Sequence, residues 1–167
     1  LLMAYAKVVN EEAHELKKAG ADIIQLDEPF MESFVSEANE FAVAGINRSL
    51  EGISGTTIVH LCFGYGHYVK ADKPNTYSFL DPLNTCAAQQ VSIEAAQPNL
   101  DPATLKRLPD KTIIFGVLDL KDHTVETPEV IAARLRGALK YVEPERLVVA
   151  PDCGMKYLPR VVAYGKL

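Results

Sequence analysis

Residues 56–62, TTIVHLC, form an apolar run that ends in two chemically reactive side chains, His60 and Cys62. β-Branched residues dominate the run, which predicts a buried β-strand. Side chains two positions apart point to the same face of a strand, so the imidazole and the thiol project together. The pair fits ordinary core packing, since Cys is often buried as a small hydrophobe, and it also fits one half of a metal site.

The same strand pattern recurs along the whole chain and alternates with helical spacing of apolar residues. Strands are predicted at 22–29, 56–62, 89–96, 112–120 and 146–154, and helices at 1–19, about 36–50, 80–88, 102–107, 128–141 and 158–166. This alternation predicts an α/β protein with parallel strands that are apolar on both faces and covered by helices. Reactive or acidic residues mark the strand ends at intervals of 25 to 34 residues, close to one βα unit: Asp27, His60, Glu94, Asp119 and Cys153.

About five βα units are present, and the carboxyl ends of parallel strands are where a (β/α)₈ barrel collects its catalytic residues. A whole barrel takes about 250 residues, whereas this chain has 167. We therefore expect one domain over 1–167 that forms the C-terminal part of such a barrel, with the N-terminal units missing. A doubly wound open sheet also accommodates five units, but the first βα turn lacks a GxGxxG phosphate loop.

The chain opens inside a predicted helix and without an initiator Met, so we expect it to be part of a longer protein. Half a barrel exposes two sheet edges, which natural proteins cover or pair. Either a missing N-terminal half or self-association is therefore expected.

Composition excludes several classes of protein. Apolar residues make up 48% and charged residues 23%, as in soluble globular domains. The net charge of −5 argues against a nucleic-acid partner. No apolar run approaches the roughly 20 residues that cross a bilayer, and no signal peptide is evident. The three cysteines, at unrelated spacings, argue against a disulfide framework and favour a cytoplasmic location.

Two later strand ends supply further ligand types for the His60 and Cys62 pair. Glu94 lies in SIEAAQ and Cys153 in APDCGMK. Together the four residues form a His/Cys/Glu/Cys set of the kind that binds Zn²⁺. The sequence therefore predicts a zinc site at the carboxyl edge of the sheet.

The motifs DIIQLDEP, VHLCFG, VSIEAA, GVLDLK and VVAPDCGMKYLPR resemble, in that order, those of the cobalamin-independent methionine synthase catalytic domain. The resemblance runs from Asp22 to about Arg160. It implies a (β/α)₈ barrel that transfers a methyl group from 5-methyltetrahydrofolate, as its polyglutamate, to the thiol of homocysteine. It also implies that Asp27 contacts the homocysteine amino group and that four residues bind zinc: His60, Cys62, Glu94 and Cys153.

The chain departs from the family pattern where a proton donor is expected. The family usually carries a His two residues after the Asp of its Gly-Val-x-Asp strand, and this sequence has Lys121 there. His123, two residues further on, is a candidate substitute. Asp119 keeps the acid of the motif, as a substrate contact or as the residue that closes the strand loop.

The loop after the His-x-Cys strand, GYGHYVKADKPNTYSFL at 64–80, is longer than in the methionine synthases. It resembles that of zinc-dependent methyl- and alkyltransferases that use another thiol, including the epoxyalkane–coenzyme M transferases. The resemblance therefore leaves the identity of the thiol open. It also leaves open that the chain is a non-catalytic, zinc-binding half-barrel that needs a partner. Four side chains of the loop could bind an anionic tail or close as a lid, or form a solvated surface: His67, Tyr68, Lys70 and Lys73.

Overall fold

Five parallel β-strands lie side by side in the order in which they occur along the chain. The computed structural model describes residues 1–64 and 72–167. The strands are β1 (Ile23–Glu28), β2 (Thr56–Leu61), β3 (Gln90–Ile93), β4 (Thr112–Leu118) and β5 (Leu147–Pro151). A doubly wound sheet reverses its strand order at a switch point, whereas a barrel adds each strand beside the previous one. The sheet order therefore favours the barrel over the open sheet.

In the described part of the chain, four α-helices connect or flank these strands. They are α1 (Leu2–Lys18), α2 (Val35–Ser49), α3 (Pro128–Ala138) and α4 (Arg160–Lys166). Residues 1–64 and 72–167 also contain three 3₁₀-helices: Asp81–Thr85, Pro102–Arg107 and Pro144–Arg146. The helices predicted at 80–88 and 102–107 thus take the form of short 3₁₀-helices. Each has room for only one or two turns, and a proline in its first turn removes a backbone donor.

The main core lies between the sheet and the helices. It joins Ile24 and Val59 of the sheet to Ala13 of α1 and Ile46 of α2. The central strands β2, β3 and β4 are almost wholly buried. The edge strands differ, because exposed residues interrupt the burial of β1 and β5. The prediction that strands are covered on both faces is therefore correct for the three central strands only.

Both edges of the sheet carry apolar side chains in contact with solvent. Ile23 of β1 is 52% exposed, and Val149 of β5 is 50% exposed. Among the described residues, no helix combines the length and the apolar character that crossing a membrane requires.

Candidate metal centre

Three side chains meet at the carboxyl edge of the sheet. His60 is near the end of β2, Cys62 directly follows that strand, and Cys153 lies two residues beyond β5. Their ligand atoms all lie within 4.8 Å of one another, and both cysteines are free thiols. An imidazole nitrogen and two sulfurs at this separation can hold one metal ion. The structure therefore brings together three of the four residues predicted as ligands.

The imidazole of His60 is fixed by the neighbouring strand. Its Nδ1 lies 2.8 Å from the Oγ of Ser92, which stands opposite His60 in the β2–β3 register. Its Nε2 is buried and has no hydrogen-bond partner within the described part of the chain. Buried polar atoms are rarely left unpaired. Nε2 is therefore the atom of His60 that is available to a metal.

Glu94, the fourth predicted ligand, directly follows β3 and is fully buried. Its Oε2 lies 2.7 Å from the Nζ of Lys73, and the two side chains are 1% and 2% exposed. Its Oε1 is buried without a hydrogen-bond partner in the described chain. Burial raises the pKa of Glu94 to about 7, against the effect of the Lys73 ammonium. Glu94 lies outside the group of three ligand atoms, but its charge raises the pKa of both His60 and Cys62.

The two thiols are unequal. The hydrogen bond with Cys62, followed by the interaction with His60, lowers the pKa of Cys153 to about 4, against the effect of burial. The same hydrogen bond, together with burial, raises the pKa of Cys62. Burial alone would lower the pKa of His60, but the sulfur of Cys153 and the charges of Asp27 and Glu94 raise it overall. The site thus favours a thiolate at Cys153, which is the form in which a cysteine binds a metal ion.

A buried tyrosine links the two strand ends that carry the predicted ligands. The Tyr77 hydroxyl accepts a hydrogen bond from Glu94 N at 2.9 Å. It lies 3.2 Å from both Leu61 O and Glu94 O, to one of which it donates. Its ring stacks on Phe63, with 4.5 Å between centroids. Tyr77 therefore adds a link between the end of β2 and Glu94 to the one that β2–β3 pairing provides.

A second link comes from Asp152, which is fully buried. Its Oδ1 accepts hydrogen bonds from Ala95 N and Ala96 N, both at 3.0 Å, and its Oδ2 accepts one from Gln97 N at 2.6 Å. Burial raises the pKa of Asp152, although these three amides oppose the shift. The residue after Glu94 and the residue before Cys153 are thereby joined directly.

Sequence reasoning missed both Tyr77 and Asp152. Asp152 had one usable signal, because it is the acid of the Pro-Asp-Cys-Gly motif and adjoins a predicted ligand. Tyr77 had none, since it lies in a loop without periodicity. Its role depends on a contact with residue 94, and such a contact leaves no local pattern.

Asp27, the predicted amine contact, lies opposite His60 in the β1–β2 register. It is exposed, and its Oδ1 accepts a hydrogen bond of 2.8 Å from Gln25. Its carboxylate is near enough to help raise the pKa of His60. The structure therefore places Asp27 beside His60, with its carboxylate open to solvent.

The residues after β4 lie at the same edge of the sheet. Asp119 is half-buried, accepts a hydrogen bond of 2.7 Å from Lys121 N, and donates its own N–H to Glu126 at 2.7 Å. The Nζ of Lys121 pairs with Asp72 at 2.5 Å, which raises the pKa of Lys121. His123 is exposed. Neither candidate proton donor is among the three grouped ligand residues.

The long loop is described only in part. His67, Tyr68 and Lys70 lie outside the described residues. Lys73 is buried against Glu94 and is therefore not free to bind an anionic tail at the surface.

Fold and site together define a class of protein: a (β/α)-barrel type α/β protein with a candidate metal centre at the carboxyl ends of its strands. The model of the family described as cobalamin-independent synthase, catalytic domain, matches residues 1–167. The chain belongs to this family.

Curated relatives and a solved structure agree with that assignment. The methionine synthase of Thermococcus kodakarensis is 38% identical over 163 residues, and that of Sulfurisphaera tokodaii is 37% identical over 163 residues. Each alignment covers 97% of this chain and 45% of the relative. The structure of a B12-independent methionine synthase from Shewanella sp. W3-18-1, in complex with selenomethionine, matches with a TM-score of 0.90 and 34% identity. That match covers 98% of this chain and 50% of the other.

The chain thus spans about half the length of the relatives that it matches. Its fold is the corresponding part of their barrel, as the strand pattern predicted.

Proposed function

We propose that this chain is the zinc-binding part of a methyltransferase that transfers a methyl group from 5-methyltetrahydrofolate to the thiol of homocysteine. The observation that carries the proposal is the grouping of His60, Cys62 and Cys153 within 4.8 Å, in a member of this family. Further βα units, placed before α1, would complete the barrel and supply the remaining substrate contacts.

The donor set suits zinc. Two thiols, an imidazole and a carboxylate are the ligands that Zn²⁺ takes in four-coordinate sites. His60 would contribute Nε2, since Nδ1 is taken by Ser92. Glu94 would contribute Oε1, since Oε2 is taken by Lys73. Both proposed ligand atoms are buried without another partner in the described chain, which supports the assignment.

Bound zinc would supply a thiolate at neutral pH, because a coordinated thiol loses its proton. The protein's part is to orient the two substrates. The exposed carboxylate of Asp27, held by Gln25 and opposite His60, would bind the substrate ammonium through a charge-assisted hydrogen bond. Asp119 would contact substrate through its carboxylate, whose Oδ1 is held by the backbone of Lys121.

The donor nitrogen must be protonated when its bond to the methyl group breaks, so a general acid is required. Lys121 and His123 are our candidates, both on the loop after β4. The ion pair with Asp72 raises the pKa of Lys121, which makes it a weaker acid near neutral pH. Histidine is the side chain that most often donates protons near neutral pH. Comparing the pH–rate profiles of the Lys121→Met and His123→Asn variants with that of the wild type separates the two candidates.

Thiols used as ligands must stay reduced. Cys62 and Cys153 lie close together, and an oxidising compartment would promote a bond between them. We therefore place the protein in the cytoplasm.

Metal analysis of the purified protein tests the proposal. About one zinc per chain is expected, with loss of the metal in Cys153→Ser. Cys86→Ser is the matched control, since Cys86 is a buried free thiol outside the group of three ligands. Less than about half a zinc per chain, unchanged by Cys153→Ser, would refute the metal centre.

The transfer reaction is assayed on the longest natural protein that carries this sequence, with methyltetrahydrofolate as the donor. Homocysteine is expected to be the preferred acceptor. Preference for coenzyme M would instead identify an alkyltransferase-type enzyme, and zinc binding without transfer to any thiol would identify a non-catalytic domain.

A further inference from the structure

We propose that Lys73 is a positioning residue of the metal centre: it holds one oxygen of Glu94 and thereby directs the other oxygen to the metal. The inference rests on the proposed function, in which Glu94 is a ligand. The contact that motivates it is the 2.7 Å pair between Lys73 Nζ and Glu94 Oε2. Both side chains are almost completely buried. Removing an ammonium from water is costly, and pairing with a buried carboxylate offsets that cost.

His60 and Glu94 are held in the same way. Each uses one polar atom to bind a neighbour, Ser92 or Lys73, and leaves the other buried atom unpaired in the described chain. Partners of this kind fix the orientation of metal ligands and increase the affinity for the metal by a large factor. Lys73 therefore does for the carboxylate what Ser92 does for the imidazole.

Charge balance points to the same role. Two thiolates and one carboxylate carry three negative charges, and Zn²⁺ neutralises two of them. The Lys73 ammonium neutralises the third, which matters because the site is buried and an uncompensated charge there is costly.

The segment that carries Lys73 is anchored by the residues that follow Lys73. Tyr77 binds the backbone of Glu94. The carboxylate of Glu32 accepts hydrogen bonds of 2.8 Å from Ser78 N and Phe79 N. Tyr77 holds the segment against the end of β3, and Glu32 holds it against the loop after β1. These contacts keep the nearby Lys73 close to Glu94.

Zinc affinity, measured by competition with a chromophoric chelator, tests the inference. Lys73→Met is expected to weaken zinc binding by roughly 10- to 100-fold, and Lys73→Arg, which keeps the charge, is expected to restore most of it. In a Glu94→Gln background, Lys73→Met should have little further effect. Lys18→Met is the control, because Lys18 forms an exposed pair with Glu15 at 2.7 Å.

Unchanged affinity in Lys73→Met would overturn the inference and leave Lys73 a structural residue. Tighter binding would also overturn it, since Lys73 would then compete with the metal for Glu94. If Lys73→Met does not fold, Lys73→Gln serves in its place, with weaker zinc binding expected and the same two results contradicting it. Failure of the wild-type protein to bind zinc would refute the proposed function itself, which keeps the two failures distinct.

Discussion

The side chain of Asp152 crosses β4 at Gly116, where a Cβ atom would lie 2.0 Å from Asp152 Oδ1 and 2.8 Å from Asp152 Cα. Asp152 follows β5, but the amides that it binds follow β3, and β4 lies between those strands. The β4–β5 register also shifts between Gly116 and Leu118. The absence of a side chain at residue 116 is what allows the ends of β3 and β5 to be joined directly.

Gly116→Ala is therefore expected to be strongly destabilising. The new methyl group would collide with both the carboxylate and the backbone of Asp152, and the overlap is too large for a small side-chain adjustment. We expect a loss of about 3 kcal/mol in the free energy of unfolding, measured with urea. Gly137→Ala is the control, since its Cβ would lie 3.5 Å from Pro102 and Ala favours helix. It should stabilise by up to about 1 kcal/mol. Equal stability of the two variants would contradict the conclusion that Asp152 crosses β4 at Gly116.

Asp152→Asn tests the carboxylate itself. Asn presents one oxygen and one NH₂ group, so it loses an accepted hydrogen bond and turns a donor toward a backbone amide. We expect a loss of about 2–4 kcal/mol in unfolding free energy, together with weaker zinc binding, because the segments that carry Glu94 and Cys153 are no longer joined. Asp101→Asn should be nearly neutral, since the exposed Asp101 caps a 3₁₀-helix and Asn caps equally well. Unchanged zinc affinity in Asp152→Asn would limit its role to folding.

Tyr77→Phe removes only a hydroxyl group, so it isolates the link between β2 and β3. The buried N–H of Glu94 loses its acceptor, which should cost about 1–3 kcal/mol in unfolding free energy. Zinc affinity should fall as well, because the Tyr77 hydroxyl no longer helps the β2–β3 pairing to hold Glu94 near the end of β2. Tyr5→Phe, at a side chain 70% exposed, should stay within about 0.5 kcal/mol of the wild type. A Tyr77→Phe protein with wild-type stability would show that the hydroxyl makes no net contribution.

The sequence predicted the strand ends well because burial leaves a local signal. Each apolar run had to end where the chain leaves the sheet, and so His60, Glu94 and Asp119 could be placed at one edge from their spacing alone. Cys153, although β5 lies three strands from β2 in the sheet, meets His60 and Cys62 as expected, because the sheet curves as it does in a barrel. Helices do form near 80–88 and at 102–107, but one or two turns carry too little periodicity to predict whether a helix is α or 3₁₀.

The supporting contacts could not be predicted, because they join residues far apart in the chain. Lys73 and Glu94 are 21 residues apart, and Asp152 and Ala95 are 57 apart. Neither pair leaves a periodic trace in the sequence. The role of Glu94 as a metal ligand remains a prediction, as do the roles of Asp27, Asp119, Lys121 and His123.

Glu126 makes the stability of the protein depend on pH in the acid range. It also binds the backbone of Asp119, one of the predicted site residues. Its Oε2 lies 2.8 Å from Nζ of Lys166, whose side chain is fully buried, and its Oε1 accepts the N–H of Asp119. Burial opposes ionisation, but the hydrogen bonds from Lys166 and Asp119 lower the pKa of Glu126 below its usual 4.5. Because the folded pKa is lower than the unfolded one, the unfolded chain binds the proton more readily. The stabilisation is therefore complete above the unfolded pKa and is lost as the pH falls through the folded one.

Urea unfolding of wild type and Glu126→Gln between about pH 7 and pH 3 measures this contribution. The variant should be less stable by about 1–2 kcal/mol at neutral pH, and the difference should shrink as the pH falls below the usual Glu pKa. The exposed Glu145→Gln provides a control, with a difference near zero throughout. A gap between wild type and Glu126→Gln that stays constant with pH would mean that the ionised carboxylate is not what holds Lys166 and the Asp119 loop together.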